Sequence, residues 1–366
     1  MQSTSLPKLI KAALFGSLLS LGATSMSAAQ AATYVYVSNA DSREIFVMQM
    51  DAQNGDLTLL DKVAVTGTAM PMVVSPDKKH LYVALRSQPF SVASFNIDPK
   101  TGKLAALQSG ELADSMANID LDKTGKWLLA ASYGGNKISV NPVNPDGTVG
   151  APKQIMATQP NAHAIHTDPA NRYAFATNLG GDIVMQLRFD AATGALTRND
   201  PPDVSTREKS GPRHFVFHPN GKFVYLLSEL DASMTVYGYD AQKGYLNELQ
   251  MVGTLPPGST VKPWAADLHF TPDGRFLYTS ERNSSTLAGW AVDGNTGKVN
   301  LIGHTPTEKE PRGFSIDPSG RYLLAVGQAS HGMSSYAINP ATGELRKLKE
   351  YPMGKNPNWV EIVTFP

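Results

Sequence analysis

The sequence predicts an all-β fold, a seven-bladed β-propeller of four-stranded blades, and three observations carry that prediction. The first is a turn followed by an apolar β-run. It reads Ser75-Pro76-Asp77-Lys78 before His80-Leu81-Tyr82-Val83, and His218-Pro219-Asn220-Gly221 before Phe223-Val224-Tyr225. It returns as Thr271-Pro272-Asp273-Gly274 before Phe276-Leu277-Tyr278, and as Asp317-Pro318-Ser319-Gly320 before Tyr322-Leu323. Weaker copies stand at residues 122–128 and 168–173, and Tyr34-Val35-Tyr36-Val37 keeps only the strand. A tight turn leading into β-branched and aromatic residues is how a hairpin is written. The second observation is a glycine turn in every unit, at Gly55, Gly102, Gly147, Gly194, Gly244, Gly297 and Gly343, spaced 45 to 53 residues apart. That period is the length of one propeller blade. The third is that the two ends complement each other. The first unit starts at its residue 34–37 strand with no inner strand, whereas residues 358–363 form a strand with nothing after it. Pairing them completes the first blade and removes two open edges.

Ahead of the repeat, Lys8 and Lys11 precede an apolar run over residues 12–21, and small residues lead to Ala29-Gln30-Ala31. A positive stretch, a short hydrophobic core and an A-x-A site make a secretory signal, here residues 1–31 with cleavage before Ala32. The run falls short of the roughly 20 apolar residues of a membrane span. The expected organisation is a signal peptide followed by a single propeller domain over residues 32–366. The mature chain is expected to be exported, and periplasmic where the cell has two membranes.

Composition narrows the chemistry. Lysine plus arginine equals aspartate plus glutamate at 32 each, so no net field steers the chain to nucleic acid or to an anionic membrane. Cysteine is absent, which removes disulfides, thiolate nucleophiles, thioether haem attachment and thiolate metal sites together. The eight histidines show no recurring ligand pattern, so neither a metal nor a redox cofactor is expected. His214 and His218 do not read as a metal pair, because His218 occupies a turn slot filled elsewhere by Ser75, Thr271 and Asp317.

In a propeller, loops at one end of the channel gather residues from every blade. One loop family precedes each inner strand and includes Asn161-Ala162-His163, Gly211-Pro212-Arg213-His214, Trp264-Ala265-Ala266-Asp267 and Pro311-Arg312-Gly313. The other follows each second strand and includes Arg86-Ser87, Ser132-Tyr133-Gly134-Gly135-Asn136, Glu229-Leu230, Glu281-Arg282-Asn283 and Gln328-Ala329-Ser330-His331. Both families abut the same end. A purely structural repeat keeps one residue type at equivalent positions; these carry His, Arg, Glu, Tyr and Asn. Departure from the repeat at one end marks a functional rim.

Four phrases at this rim also carry a family likeness: Pro71-Met72-Val73-Val74-Ser75-Pro76-Asp77-Lys78, Gly211-Pro212-Arg213-His214-Phe215-Val216-Phe217-His218, Trp264-Ala265-Ala266-Asp267 and Pro311-Arg312-Gly313-Phe314. Their order over residues 34–363 resembles the lactonase family of seven-bladed propellers, and within it the bacterial 6-phosphogluconolactonases. That family also includes a fungal muconate-lactonising enzyme. The resemblance implies a catalytic set of His163, Arg213, Glu229 and Arg282. Rim position makes Arg86, Tyr133, Asn136, Arg312, Gln328 and His331 the candidate substrate contacts, since a hydroxyl-rich sugar needs several donors and acceptors. The resemblance also implies a small sugar lactone as partner and no cofactor. The signal peptide departs from the pattern, since 6-phosphogluconolactonases act in the cytoplasm.

The chemistry asks little of the protein. A lactone opens when water is activated and the carbonyl oxygen is stabilised as it gains charge. One general base contributes roughly 10²–10⁴-fold, and one oxyanion donor about 3 kcal/mol. Glu229 or His163 is the base in this reading. Arg213 and Arg282 bind the oxyanion and the product carboxylate. The competing class is a non-catalytic periplasmic propeller that binds a carbohydrate or protein partner, since fold does not set function.

Overall fold

The structure, a computed structural model, describes residues 1–6 and 31–366. The expected signal peptide, residues 1–31, lies almost wholly outside the described residues. Residues 31–365 form seven antiparallel sheets, six of four strands. The second blade has a fifth short strand, Gly110–Glu111, on the same neighbour as Leu104–Ala106. The innermost strands are Pro357–Phe365, Ala69–Val74, Met116–Leu121, Ala162–Thr167, Pro212–Phe217, Ala265–Phe270 and Pro311–Ile316. As the sequence predicts, the last strand of the chain completes the first blade. It pairs antiparallel with Ala32–Asn39, from Ala32 opposite Phe365 to Asn39 opposite Pro357. Ser38 Oγ then donates to Met70 O at 2.9 Å, tying the closed blade to the next one.

The blades are joined by one contact used seven times. Near the start of each second strand a ring side chain lies on the turn glycine of the following blade. The pairs are Tyr34 on Gly102, His80 on Gly147, Trp127 on Gly194, Tyr173 on Gly244, Phe223 on Gly297, Phe276 on Gly343 and Tyr322 on Gly55. The two phrases of the repeat are therefore the two halves of one interface. At Gly297 the glycine is required twice over. Its φ is +75°, and a Cβ there would lie 2.5 Å from Cδ1 of Phe223. Hydrogen bonds reinforce several of these contacts. Tyr322 Oη donates to Gln53 O, and Tyr173 Oη to Gln242 O, both at 2.8 Å. Trp127 Nε1 donates to Ala191 O at 2.9 Å.

Apolar side chains fill the space between neighbouring blades in seven separate clusters. The first-to-second cluster sets Tyr34, Tyr36 and Val47 against Leu81, Val83 and Phe95, with Val363 and Phe365 from the closing strand. No blade buries both of its faces alone, so each depends on its two neighbours.

Two outcomes test this architecture. Deleting the chain from Asn356 onward strips the first blade of its inner strand and should leave the protein insoluble or without a cooperative melt; an unchanged melting curve would refute the closure. Gly297→Ala should cost about 2–4 kcal/mol, from positive-φ strain plus overpacking against Phe223. Gly294→Ala, where an added Cβ meets nothing within 4 Å, should stay near neutral in the same denaturant titration.

Candidate functional site

The inner strands deliver their side chains to the channel through a shared irregularity. Pro212 pairs with Ser228 and His214 with Leu227, which leaves Arg213 as the extra residue of a β-bulge. His163 is the extra residue between Ala162–Asn178 and Ala164–Thr177, and Arg312 between Pro311–Gly327 and Gly313–Val326. Ala117 and Asn358 occupy the same place in their blades. A bulge locally breaks the in–out alternation and re-aims the side chain. Here it faces consecutive residues toward the site, and three of the bulged residues are His163, Arg213 and Arg312.

Arg213 anchors the rim and is 1 % exposed. Its Nε donates to Glu229 Oε2 at 2.9 Å, and Nη1 donates to Ala266 O. Arg282 reaches the same oxygen of Glu229 through Nη2 at 2.8 Å. It also donates to Trp264 O and Ala265 O, each at 3.1 Å, with its guanidinium 3.9 Å from the centre of the Trp264 ring. One carboxylate oxygen thus holds two buried guanidiniums. Burial alone would raise the Glu229 pKa, but Arg213 and Arg282 outweigh it and hold the carboxyl below its ordinary value. Burial, then repulsion from Arg213, brings Arg282 down to about 10. Arg312 is pushed well down by burial and by Arg213, Arg282 and Arg86. Among the described residues Arg312 has no ion-pair or hydrogen-bond partner, and Arg86 bonds only Ser115 Oγ and the Met70 sulfur. The rim therefore brings four guanidiniums to Glu229, while a second buried carboxylate, Glu281, accepts from the Trp264 and Ser284 amides beside Arg282.

His163 sits among them, 3 % exposed and neutral, because burial and the charges of Arg213, His214, Arg312 and Arg282 oppose its protonation. The exposed Tyr133 ring meets it edge-on at 6.0 Å. The other expected contacts are engaged in turns. Asn136 Oδ1 accepts from the Asn161 amide at 2.8 Å, Gln328 Nε2 donates to Asn356 Oδ1 at 2.6 Å, and His331 Nδ1 accepts from the Asn356 amide at 3.1 Å. Asn136 and His331 both have positive φ, which assigns them a local conformational task.

Sequence reasoning passed over a second layer deeper in the channel. His214 Nδ1 lies 2.9 Å from Asp267 Oδ1, and Asp267 Oδ2 lies 3.1 Å from His269 Nε2. His166 Nδ1 pairs with Asp120 Oδ2 at 2.7 Å, and Trp359 Nε1 donates to Glu361 Oε1 at 2.9 Å. With Lys123 these residues surround a cavity of about 300 Å³ at the opposite mouth, Glu361 standing behind Trp359. The signal was available in the repeat. His166, His269, Asp120 and Glu361 hold one equivalent inner-strand position, where other blades have Val73, Val216 and Ser315. Burial alone would raise the Asp267 pKa, yet the His269 and His214 imidazoles hold it well below the usual carboxylate range. His214 is brought down to about 3 by burial and Arg213.

Comparison with known proteins shows the family. The family model for the lactonase 7-bladed β-propeller matches residues 30–362. The chain belongs to that family. It is 42% identical over 283 residues to the 6-phosphogluconolactonase of Pectobacterium carotovorum, covering 77% of this chain and 84% of the relative. It is 40% identical over 283 residues to that of Yersinia pestis, with the same coverage. Among solved structures, a periplasmic gluconolactonase of Pseudomonas aeruginosa superposes with a TM-score of 0.85 at 28% identity, over 91% of this chain and all (100%) of that one. This chain is a lactonase, and its reaction is lactone hydrolysis.

The lower layer makes stability depend on pH. Burial pushes the Glu361 carboxyl up to about 7, with Asp120 and Asp267 adding to the rise against Trp359 and His269. Between its ordinary 4.5 and about 7, the folded chain holds a proton that the unfolded chain has lost. Stability from this group is therefore full below 4.5 and falls as pH rises through 7. Glu361→Gln should raise Tm above pH 7 by about 2–4 °C, the effect of roughly 1 kcal/mol, and leave it unchanged near pH 4.5. A Tm difference that ignores pH would show that Glu361 titrates as an ordinary carboxyl.

Proposed function

We propose that this lactonase opens an aldono-δ-lactone of the gluconolactone type to its aldonic acid, as an exported enzyme. The observation that carries the reading is the excess of guanidinium over carboxylate at a half-buried rim, beside a neutral imidazole. Such a site favours a carbonyl oxygen gaining negative charge and then a carboxylate, in surroundings where charge is poorly screened. His163 takes the proton from the attacking water. Glu229 is already committed to two guanidiniums and serves to hold Arg213 and Arg282 in place. Arg312 and Arg86, whose donors are free of carboxylates, bind the oxyanion and the product. Tyr133 borders His163 and meets the sugar hydroxyls.

Export is supported by the signal-like residues 1–31 and by the periplasmic gluconolactonase of similar structure. A second reading, 6-phosphogluconolactone as substrate, is favoured by the two unpaired guanidiniums and by the relatives of that name. Rates on D-glucono-δ-lactone and its 6-phosphate, against the spontaneous reaction, decide between them.

His163→Gln and Arg312→Ala should each lower lactone opening at least about a hundredfold, the low end for a lost general base or oxyanion donor. Because His163 is held neutral, the wild-type rate should not collapse as pH falls from 8 to 6 in a pH-stat. Full activity in both variants would remove the rim from the mechanism.

A further inference from the structure

The links that enter the rim differ in length as well as in residue type. In five blades the chain passes from the outer strand to the next inner strand in four residues, at 65–68, 112–115, 158–161, 307–310 and 353–356. The link at 206–211 has six residues, and the one at 254–264 has eleven. Four residues make this crossing, so the extra length at 254–264 is not needed for connection. It runs into Trp264, at the rim.

The long link is not slack. Thr254 N and Oγ1 both donate to Ala232 O, at 2.8 and 2.9 Å. At the other end Asn283 Nδ2 donates to Lys262 O at 2.8 Å, and Trp264 N donates to Glu281 Oε1 at 2.6 Å. Pro256, Pro257 and Pro263 fix φ at three of its positions. The link is thus pinned to the residues on either side of Arg282. Arg282 closes the joint, because its main-chain N and its Nε both donate to Trp264 O at 3.1 Å. The guanidinium lies under the indole, 3.9 Å from its centre. Arg282 is buried and Trp264 only half-buried, so the indole is the outer member of the stack. One indole face is given to the cation. The other is turned outward at the rim.

Such a face suits a sugar. The ring of an aldono-δ-lactone presents C–H bonds polarised by hydroxyls on the same carbons, and the face of an indole carries the negative part of its quadrupole. A plain lactone offers the same ring with weaker C–H dipoles. We propose that Trp264, carried to the rim by the long link, determines specificity: its outer face receives the C–H face of a hydroxylated lactone ring while the carbonyl lies among the guanidiniums. The inference rests on the lactonase reading of the rim given above and adds the contact that separates a sugar lactone from a plain one. That contact is the same before and during ring opening, so it lowers KM and leaves kcat as it is.

The test is initial-rate lactone opening by the mature chain, above the spontaneous rate, on D-glucono-δ-lactone and on δ-valerolactone. Trp264→Leu keeps an apolar cover over Arg282 and removes the π face. It should raise KM for D-glucono-δ-lactone about five- to tenfold, the upper part of the range for one aromatic contact, with kcat and the δ-valerolactone kinetics unchanged. Trp264→Phe should bring that KM back to within about twofold of the wild type. An equal change on both lactones would make the indole a support for Arg282 alone and overturn the proposal, as would an unchanged sugar-lactone KM in Trp264→Leu. A wild-type chain that opens neither lactone overturns the rim reading and the specificity with it. A wild type that opens them, with variants that do not tell them apart, overturns the specificity alone.

Discussion

A ring side chain resting on a bare glycine, repeated between every pair of blades, is the contact on which the rest of the molecule depends. It joins the start of one second strand to the outer turn of the next blade, and both lie at the end of the channel away from the rim. A Cβ on any of the seven glycines would overlap the ring, so the glycine half of the interface tolerates no drift while the ring half varies among Tyr, Phe, Trp and His. Among the described residues the rim end carries no ring-on-glycine pair repeated in every blade. Geometry is therefore held at one mouth by a repeated pair, while residue choice is free at the other. The functional groups stand where the repeat relaxes.

Freedom alone does not aim a side chain. The bulge does, because it places one extra inner-strand residue opposite its partner strand in each blade. With strict alternation, Arg213 and His214 would face opposite sides of their sheet. The bulge lets Arg213 reach Glu229 and Ala266 while His214 reaches Asp267, all within the channel. The same device puts His163 beside His214 and Arg312 beside Arg213. Rim and lower layer are thus successive residues of the same strands, and their chemistry is coupled by construction.

The fold was legible because each of its parts is local or periodic. The turn phrases and turn glycines are short patterns, and the orphan strand at residues 358–363 named its own partner by elimination. The rim was legible in outline, through the mixture of residues at positions that should be alike. The meaning of each residue was not. Asn136 and His331 look like donors to a sugar in sequence, yet positive φ and hydrogen bonds to neighbouring turns give them local tasks. Glu229 reads as a candidate base near arginines, but the convergence of two of them from different loops on one of its oxygens is visible only in the structure. His214 and Asp267 lie 53 residues apart, and only the closeness of adjacent inner strands makes them partners. Those relations depend on which blade is neighbour to which and on a bulge that no single residue type announces.

The chain has no net charge, yet its channel is divided by sign along its axis. Four guanidiniums outnumber Glu229 and Glu281 at the rim, and the carboxylates of Asp120, Asp267 and Glu361 stand beneath them among imidazoles. Gathering cations at a half-buried site is costly unless each is held by acceptors. Here Glu229, the Trp264 ring and the carbonyls of Trp264, Ala265 and Ala266 hold Arg213 and Arg282. Arg312 is left without such support. In the proposed reaction its charge is met when the carbonyl oxygen of the substrate becomes an anion, so stabilisation arises at the point where the reaction needs it. The same field that favours this anion disfavours a proton beside it. Splitting the channel by sign keeps the place where negative charge would develop apart from the buried carboxylates of the lower layer, which would otherwise oppose it.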